Sequence, residues 1–172
     1  MKPRRVKGAA GSRGLVEDRR GAVIVEQLIV FLPVLFFVLV TGQVLEICTG
    51  AILLRHAAFC AARAAIVVLP DDPRRYGGEA FIKPGGAIPD KSNRVAAVTK
   101  AATIILRTDP HFDTNRVTVG LFFDKSNVEL SARLTAPYRC YARFVNVACA
   151  GRGSIDLHAE GRDAYQGAEY AY

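Results

Sequence analysis

Arg19-Arg20-Gly21-Ala22-Val23-Ile24-Val25-Glu26-Gln27-Leu28-Ile29-Val30-Phe31-Leu32-Pro33 decides how the rest of the chain is read. A basic pair and a glycine lead into an apolar run that holds a single carboxylate near its start. From Gln27 to Leu45 there are 19 residues and no ionisable side chain. As a helix rising ~1.5 Å per residue, that run reaches about 28 Å, close to the ~30 Å hydrocarbon core of a bilayer. The sequence predicts a transmembrane helix over residues 22–45, and an acid this close to a membrane span marks a candidate functional residue.

Charge agrees with that reading. Residues 1–21 carry seven basic side chains and two acidic ones, a net of +5, whereas the 172-residue chain as a whole is +7. Everything after Gly21 therefore carries only +2. No Lys or Arg occurs from Ala22 to Leu54. The basicity is a flank of the apolar segment rather than a patch for nucleic acid, and we expect no nucleic-acid partner. Positive flanks stay in the cytoplasm, which predicts a cytoplasmic N-terminus and an external C-terminal portion.

Other origins of an apolar run fit less well. A cleaved secretory signal has 7–15 apolar residues and a small-x-small site, but this run is longer and is followed by Thr41-Gly42-Gln43-Val44-Leu45-Glu46. A lipoprotein signal wants a small residue before its cysteine, and Ile47 and Phe59 precede Cys48 and Cys60. A buried helix of a soluble domain would show a polar face, which is missing from Leu28 to Val40.

The pattern of a basic leader ending in Gly21, a new N-terminus at Ala22 and a glutamate at the fifth mature position resembles the class III signal of type IV pilins and pseudopilins. More narrowly, Arg20-Gly21, Val25-Glu26 and Phe31-Leu32-Pro33-Val34-Leu35 are similar to the start of the TadE-like family, minor pseudopilins of tight-adherence pilus systems. The stretch Arg55-His56-Ala57-Ala58-Phe59-Cys60-Ala61-Ala62-Arg63-Ala64-Ala65 resembles that family's continuation of the helix. The resemblance covers residues 19–68. It implies a leader of residues 1–21 removed by a prepilin peptidase between Gly21 and Ala22. It also implies a place in a bacterial inner membrane with the C-terminal domain in the periplasm or outside, and other pilin or pseudopilin subunits and their assembly platform as partners. Type II secretion pseudopilins share the signal.

Glu26 has a physical reading of its own. If Ala22 becomes the N-terminus, its α-amine and Glu26 stand four residues apart on one helix face. When such helices bundle, each charge enters apolar surroundings and must be paired, so the glutamate of one subunit can meet the amine of another and select axial register. The plainer reading is that Glu26 marks the membrane interface.

Beyond Glu46 the sequence stays helix-permissive to Val68, with Ile52, Phe59 and Ile66 forming a seven-residue apolar stripe, and Pro70 ends it. Gly42, Gly50 and Pro33 are places where such a helix can bend. Residues 69–92 read as a Pro/Gly-rich loop, a functional or mobile surface segment or a spacer. Arg94 to Leu106 predicts a second, amphipathic helix capped by Asp90 or Ser92. Alternation then predicts strands through Val117–Phe123 and Val128–Leu134 around a turn at Asp124-Lys125-Ser126-Asn127, a third over Tyr141–Val147, and a fourth through Ile155, Leu157 and Ala159. The expected fold is α+β and pilin-like: a long N-terminal transmembrane helix running into an external domain (93–172) with a second helix and a small antiparallel sheet.

Cys140 and Cys149 flank the Tyr141–Val147 segment and suit a disulfide worth about 2–3 kcal/mol in an oxidising compartment; two buried free thiols are the alternative. Cys48 and Cys60, ~18 Å apart on a straight helix, cannot pair with each other. No CxxC spacing occurs, and His56, His111 and His158 are scattered, so we expect no metal site. Nothing resembles a GxSxG, HExxH or phosphate-loop motif. His111 and the acids Asp71, Asp72, Asp109 and Asp113 read as solvated loop residues. We expect no enzyme, no cofactor and no small-molecule substrate. Against the pilus reading stands an unprocessed single-pass anchor that carries an external binding domain.

Overall fold

The computed structural model describes residues 19–83, 85–124, 129–140, 149 and 152–164. Its elements are α1 (Arg19–Val68), a 3-10 turn (Pro73–Tyr76), α2 (Asn93–Leu106), a second 3-10 turn (Thr114–Arg116), and strands β1 (Thr118–Asp124), β2 (Glu129–Arg139) and β3 (Ser154–Ala164). The chain divides into two compact units, 1–39 and 40–172.

In the first unit α1 continues through Pro33, although proline has no N–H to give to the helix ladder. Every side chain described from Val23 to Leu39 is exposed. Around this stretch the helix reaches a mean hydropathy of 2.7, long and apolar enough to cross a membrane.

The second unit is α+β. Its three strands form one antiparallel sheet in the order β1-β2-β3. The alternation read from the sequence sets the inner face: Leu130, Ala132, Leu134, Ala136 and Tyr138 of β2 are buried, with Leu121 beside them and Ile155, Leu157 and Ala159 of β3 half-buried. The remainder of α1 packs against the sheet at Gly161, α2 adjoins β1, and both share one core with this face. Successive buried residues of α2, Val95, Val98, Ala102 and Leu106, follow helical spacing. Ser92, one of the two expected caps, closes its N-terminus by accepting from the Val95 N–H at 3.0 Å. The predicted Tyr141–Val147 strand and residues 125–127 of the predicted turn lie outside the described residues.

The face of α1 that packs is the alanine face. Leu54, Ala57, Ala58, Ala61, Ala62 and Ala65 are fully buried, whereas Ile52 and Phe59 of the expected stripe are 68% and 42% exposed and Ile66 is half-buried. Small side chains win because the backbones approach closely. Gly161 of β3 sits opposite Ala132, and a Cβ there would stand 2.5 Å from the Ala58 carbonyl and the Phe59 nitrogen. Gly50 has the same role closer to the N-terminus of α1, with a virtual Cβ 2.6 Å from the Tyr138 ring. It is a contact glycine.

The 69–92 segment carries structure of its own. Asp72 caps the first 3-10 turn by accepting from the Arg74 N–H at 2.9 Å, and Gly77 ends it at φ +69°, a conformation that favours glycine. Arg94 is fully buried and ties the segment down. Its guanidinium donates to the carbonyl of Val68, the last residue of α1, and to those of Asp71 (2.9 Å) and Glu79 (3.0 Å). Its positive charge thus meets the negative end of the α1 macrodipole and lies over the Tyr76 ring, 4.6 Å from its centroid. The Glu79 carboxylate in turn accepts from the Asn93 and Arg94 N–H groups at the start of α2. One arginine therefore joins the end of α1, the loop and α2.

Candidate assembly site

The residues singled out for processing and assembly all lie in the first turns of α1. Gly21 is exposed, with open space around the position a Cβ would take, and the Gly21–Ala22 bond falls in the first helical turn. Glu26 is exposed one turn further on, ~6 Å along the axis from Ala22. The spacing that would put an N-terminal amine and a carboxylate on one face is therefore present. Beyond Glu26 the helix offers only apolar or uncharged side chains to its surroundings until Glu46.

Within the second unit, α1 has two faces of different use. The alanine face is consumed by the sheet. The opposite face presents Leu45 (62% exposed), Ile52, Phe59 and Val67 (67%). The Arg63 guanidinium lies 5.4 Å from the Phe59 ring centroid and pairs with Asp163 of β3 at 3.5 Å. That face is mixed: the four apolar side chains stand among exposed Glu46, Arg55, His56 and Arg63.

Tyr138 fixes this helix to the sheet near residue 46. Its hydroxyl donates to the Glu46 carbonyl at 3.2 Å, and its ring packs against Gly50. His111 stacks on it at 5.3 Å and Phe112 meets it edge-on at 5.1 Å. Burial, with the Asp109 and Glu46 carboxylates adding to it, pushes the phenol up to about 12. His111 is therefore not the solvated loop residue expected: besides the stack, its Nδ1 is 3.2 Å from the Arg139 carbonyl, and its own carbonyl accepts from the Arg139 N–H at 2.8 Å. The reason is the pairing of residues 111–113 with the end of β2, which extends the sheet edge past β1.

The acids are similarly engaged. A backbone hydrogen bond from Asp72 holds the Asp71 carboxyl below the usual carboxylate range, against some burial, with help from Arg75 and Tyr76. Asp109 accepts from the His111 N–H at 2.9 Å, and Asp113 pairs with Arg139 at 3.5 Å.

The outer face of the sheet carries polar and charged pairs beside the exposed Phe122. Glu160 bridges Arg162 (2.9 Å) and Arg133 (3.2 Å), and the hydrogen bond from Arg162 is the main cause that lowers its carboxyl. Thr135 and His158 join across β2 and β3 at 2.9 Å.

Cys140 and Cys149 are joined in a disulfide, with Cα atoms 6.6 Å apart, and the Cys140 N–H donates to the Gly153 carbonyl at 3.1 Å. Cys48 and Cys60 are free thiols, Cys48 exposed and Cys60 half-buried. Among the described residues no group of three or more metal-ligating side chains occurs. Sequence reasoning passed over two pieces of this geometry. The clamp of Arg94 carries no sequence signal beyond an arginine in the first turn of an amphipathic helix. The pairing of His56 with Cys60 does carry one, the four-residue spacing on a helix. Comparison of the chain with protein-family models, curated proteins and solved structures returned no match.

Proposed function

We propose that this chain is a membrane-anchored, pseudopilin-like subunit of a type IV or tight-adherence pilus, or of a related secretion filament. Residues 22–45 span the inner membrane after a prepilin peptidase removes residues 1–21, and the α+β unit lies outside in a pilin-like arrangement. One observation carries the reading: the helix that holds Glu26 exposes apolar side chains on every side from Val23 to Leu39, and further along, where its own sheet has taken the alanine face, it still leaves Leu45, Ile52, Phe59 and Val67 outward among charged residues. A lone anchor needs an apolar span but gains nothing from exposing Leu45, Ile52, Phe59 and Val67 beyond it. A subunit that bundles through this helix uses both stretches. The alanine–sheet contact keeps the outer face presented, and the disulfide suits an oxidising exterior.

In this reading Glu26 neutralises the Ala22 amine of a neighbouring subunit once the helices pack in low dielectric, and so sets their axial register. The variant Glu26→Gln tests it. Near the end of the span a carboxylate costs less than the ~2.5–3.5 kcal/mol charged at a helix centre, so the variant inserts at the normal level. It is lost from crosslinked oligomers and from filament fractions, with leader removal checked in the same samples. A variant that is processed and still crosslinks and supports filaments like wild type overturns the charge-pairing role.

A further inference from the structure

On the outer side of α1, away from the buried alanines, His56 and Cys60 stand one helical turn apart, with the imidazole Nε2 3.9 Å from the thiol sulfur. His56 is exposed and Cys60 is half-buried. We infer that this pair is a bidentate site for a borderline-soft divalent ion of the zinc type. The donor separation is close to that of a loaded chelate. A tetrahedral ion with Zn–N of ~2.05 Å and Zn–S of ~2.3 Å holds its nitrogen and sulfur donors about 3.6 Å apart, so the side chains need to close by only about 0.3 Å.

The donor types set the ion class. Imidazole with thiolate selects zinc and its neighbours over calcium or magnesium, which want oxygen. Helical spacing of four is the arrangement by which two ligands on one helix face reach the same ion. Cysteines and histidines outside α1 are engaged elsewhere. Cys140 and Cys149 are joined to each other, His158 contacts Thr135, and His111 is stacked on Tyr138. The nearby cation Arg63 is engaged with Asp163 and the Phe59 ring. On binding, the Cys60 thiol gives its proton to solvent and its sulfur lone pair to the ion, while neutral His56 gives the Nε2 lone pair. One proton is released per ion and nothing is oxidised or reduced. The pair supplies two donors, so a tetrahedral ion keeps two positions for water or for donors of another molecule.

The test is a cobalt(II) titration of the full chain in detergent micelles, with Cys140–Cys149 left oxidised. Wild type and Cys48→Ser are expected to show a near-ultraviolet thiolate-to-cobalt charge-transfer band with tetrahedral visible bands, displaced by zinc. Cys60→Ser loses the charge-transfer band. His56→Gln weakens binding by about tenfold or more, since even partners behind a metal ligand are worth that much. Cys60→His, which rebuilds a two-donor pair, binds cobalt without the thiolate band. Far-UV circular dichroism of each variant matches wild type, as both positions lie off the packed face. The proposal is overturned if molar excess of cobalt gives no band, if the band survives Cys60→Ser, or if His56→Gln binds as tightly as wild type.

Discussion

Gly161→Ala adds one methyl group at the closest approach of sheet and helix, and its cost can be worked from the contact. The new Cβ would stand 2.5 Å from the Ala58 carbonyl carbon and oxygen and the Phe59 nitrogen, about 0.9 Å inside the 3.4 Å at which ordinary contact begins. All three atoms are helix backbone, so no side chain can swing aside. Either β3 withdraws, which pulls on its pairing with β2 at Ala132–Gly161, or α1 shifts off the alanine seam. Overpacking of this kind costs about 1–3 kcal/mol, and rigid atoms on both sides place this one at about 3 kcal/mol. Gly161 has no positive φ, so strain of the new residue itself contributes nothing. For a unit of this size about 3 kcal/mol lowers the thermal midpoint by about 10 °C. The assay is thermal unfolding of the full chain in micelles, followed by the tyrosine near-UV signal. Gly153→Ala is the control, because a Cβ there meets open space; its midpoint moves by no more than about 2 °C, the equivalent of about 0.5 kcal/mol. A Gly161→Ala protein that melts with wild type would refute the close helix–sheet seam.

Arg94→Met removes the donor shared by the Val68, Asp71 and Glu79 carbonyls; it is expected to cost about 2–4 kcal/mol and to speed tryptic cutting at Arg74 and Arg75, and unchanged cutting would show that the clamp does not hold the loop. Tyr138 has a phenol pKa raised in the fold from about 10 to about 12, so it contributes stability that is complete below pH ~10 and is lost as pH rises through about 12. Tyr138→Phe should therefore lower stability at neutral pH by about 1 kcal/mol through loss of the bond to Glu46, and should flatten the alkaline fall between those values. An identical alkaline profile in both proteins would contradict that assignment.

Much of the fold was legible because local rules and tertiary needs coincide. The charge-free run, the Ser92 cap and the period-2 alternation in Val117–Phe123, Leu130–Leu134 and Ile155–Ala159 each state their own structure. The packing face of α1 was not legible from hydrophobicity. Ile52 and Phe59 are the larger apolar residues, but size excludes them where a sheet lies against a helix backbone, and the fitting set is Ala58, Ala61, Ala62 and Gly161. The roles of Arg94 and of His111 were hidden for a related reason. Their partners are backbone carbonyls and a ring far away in sequence, brought close only by the tertiary fold. At the candidate site, the spacing of Gly21, Ala22 and Glu26 could be read directly, whereas the outward exposure of Ile52, Phe59 and Val67 required knowing which face the sheet had taken.

The central claim, a subunit that is processed and then assembles through its helix, is tested most directly at its N-terminus. Protein extracted from membranes of cells with and without a prepilin peptidase is analysed by N-terminal sequencing and intact mass. The account predicts that peptidase-positive cells yield a chain beginning at Ala22, shorter by residues 1–21 and with its formal charge reduced from +7 to +2, and that Gly21→Val stays full length while still inserting. Wild-type protein that retains Met1 in peptidase-positive cells would contradict it and leave an unprocessed membrane anchor in its place.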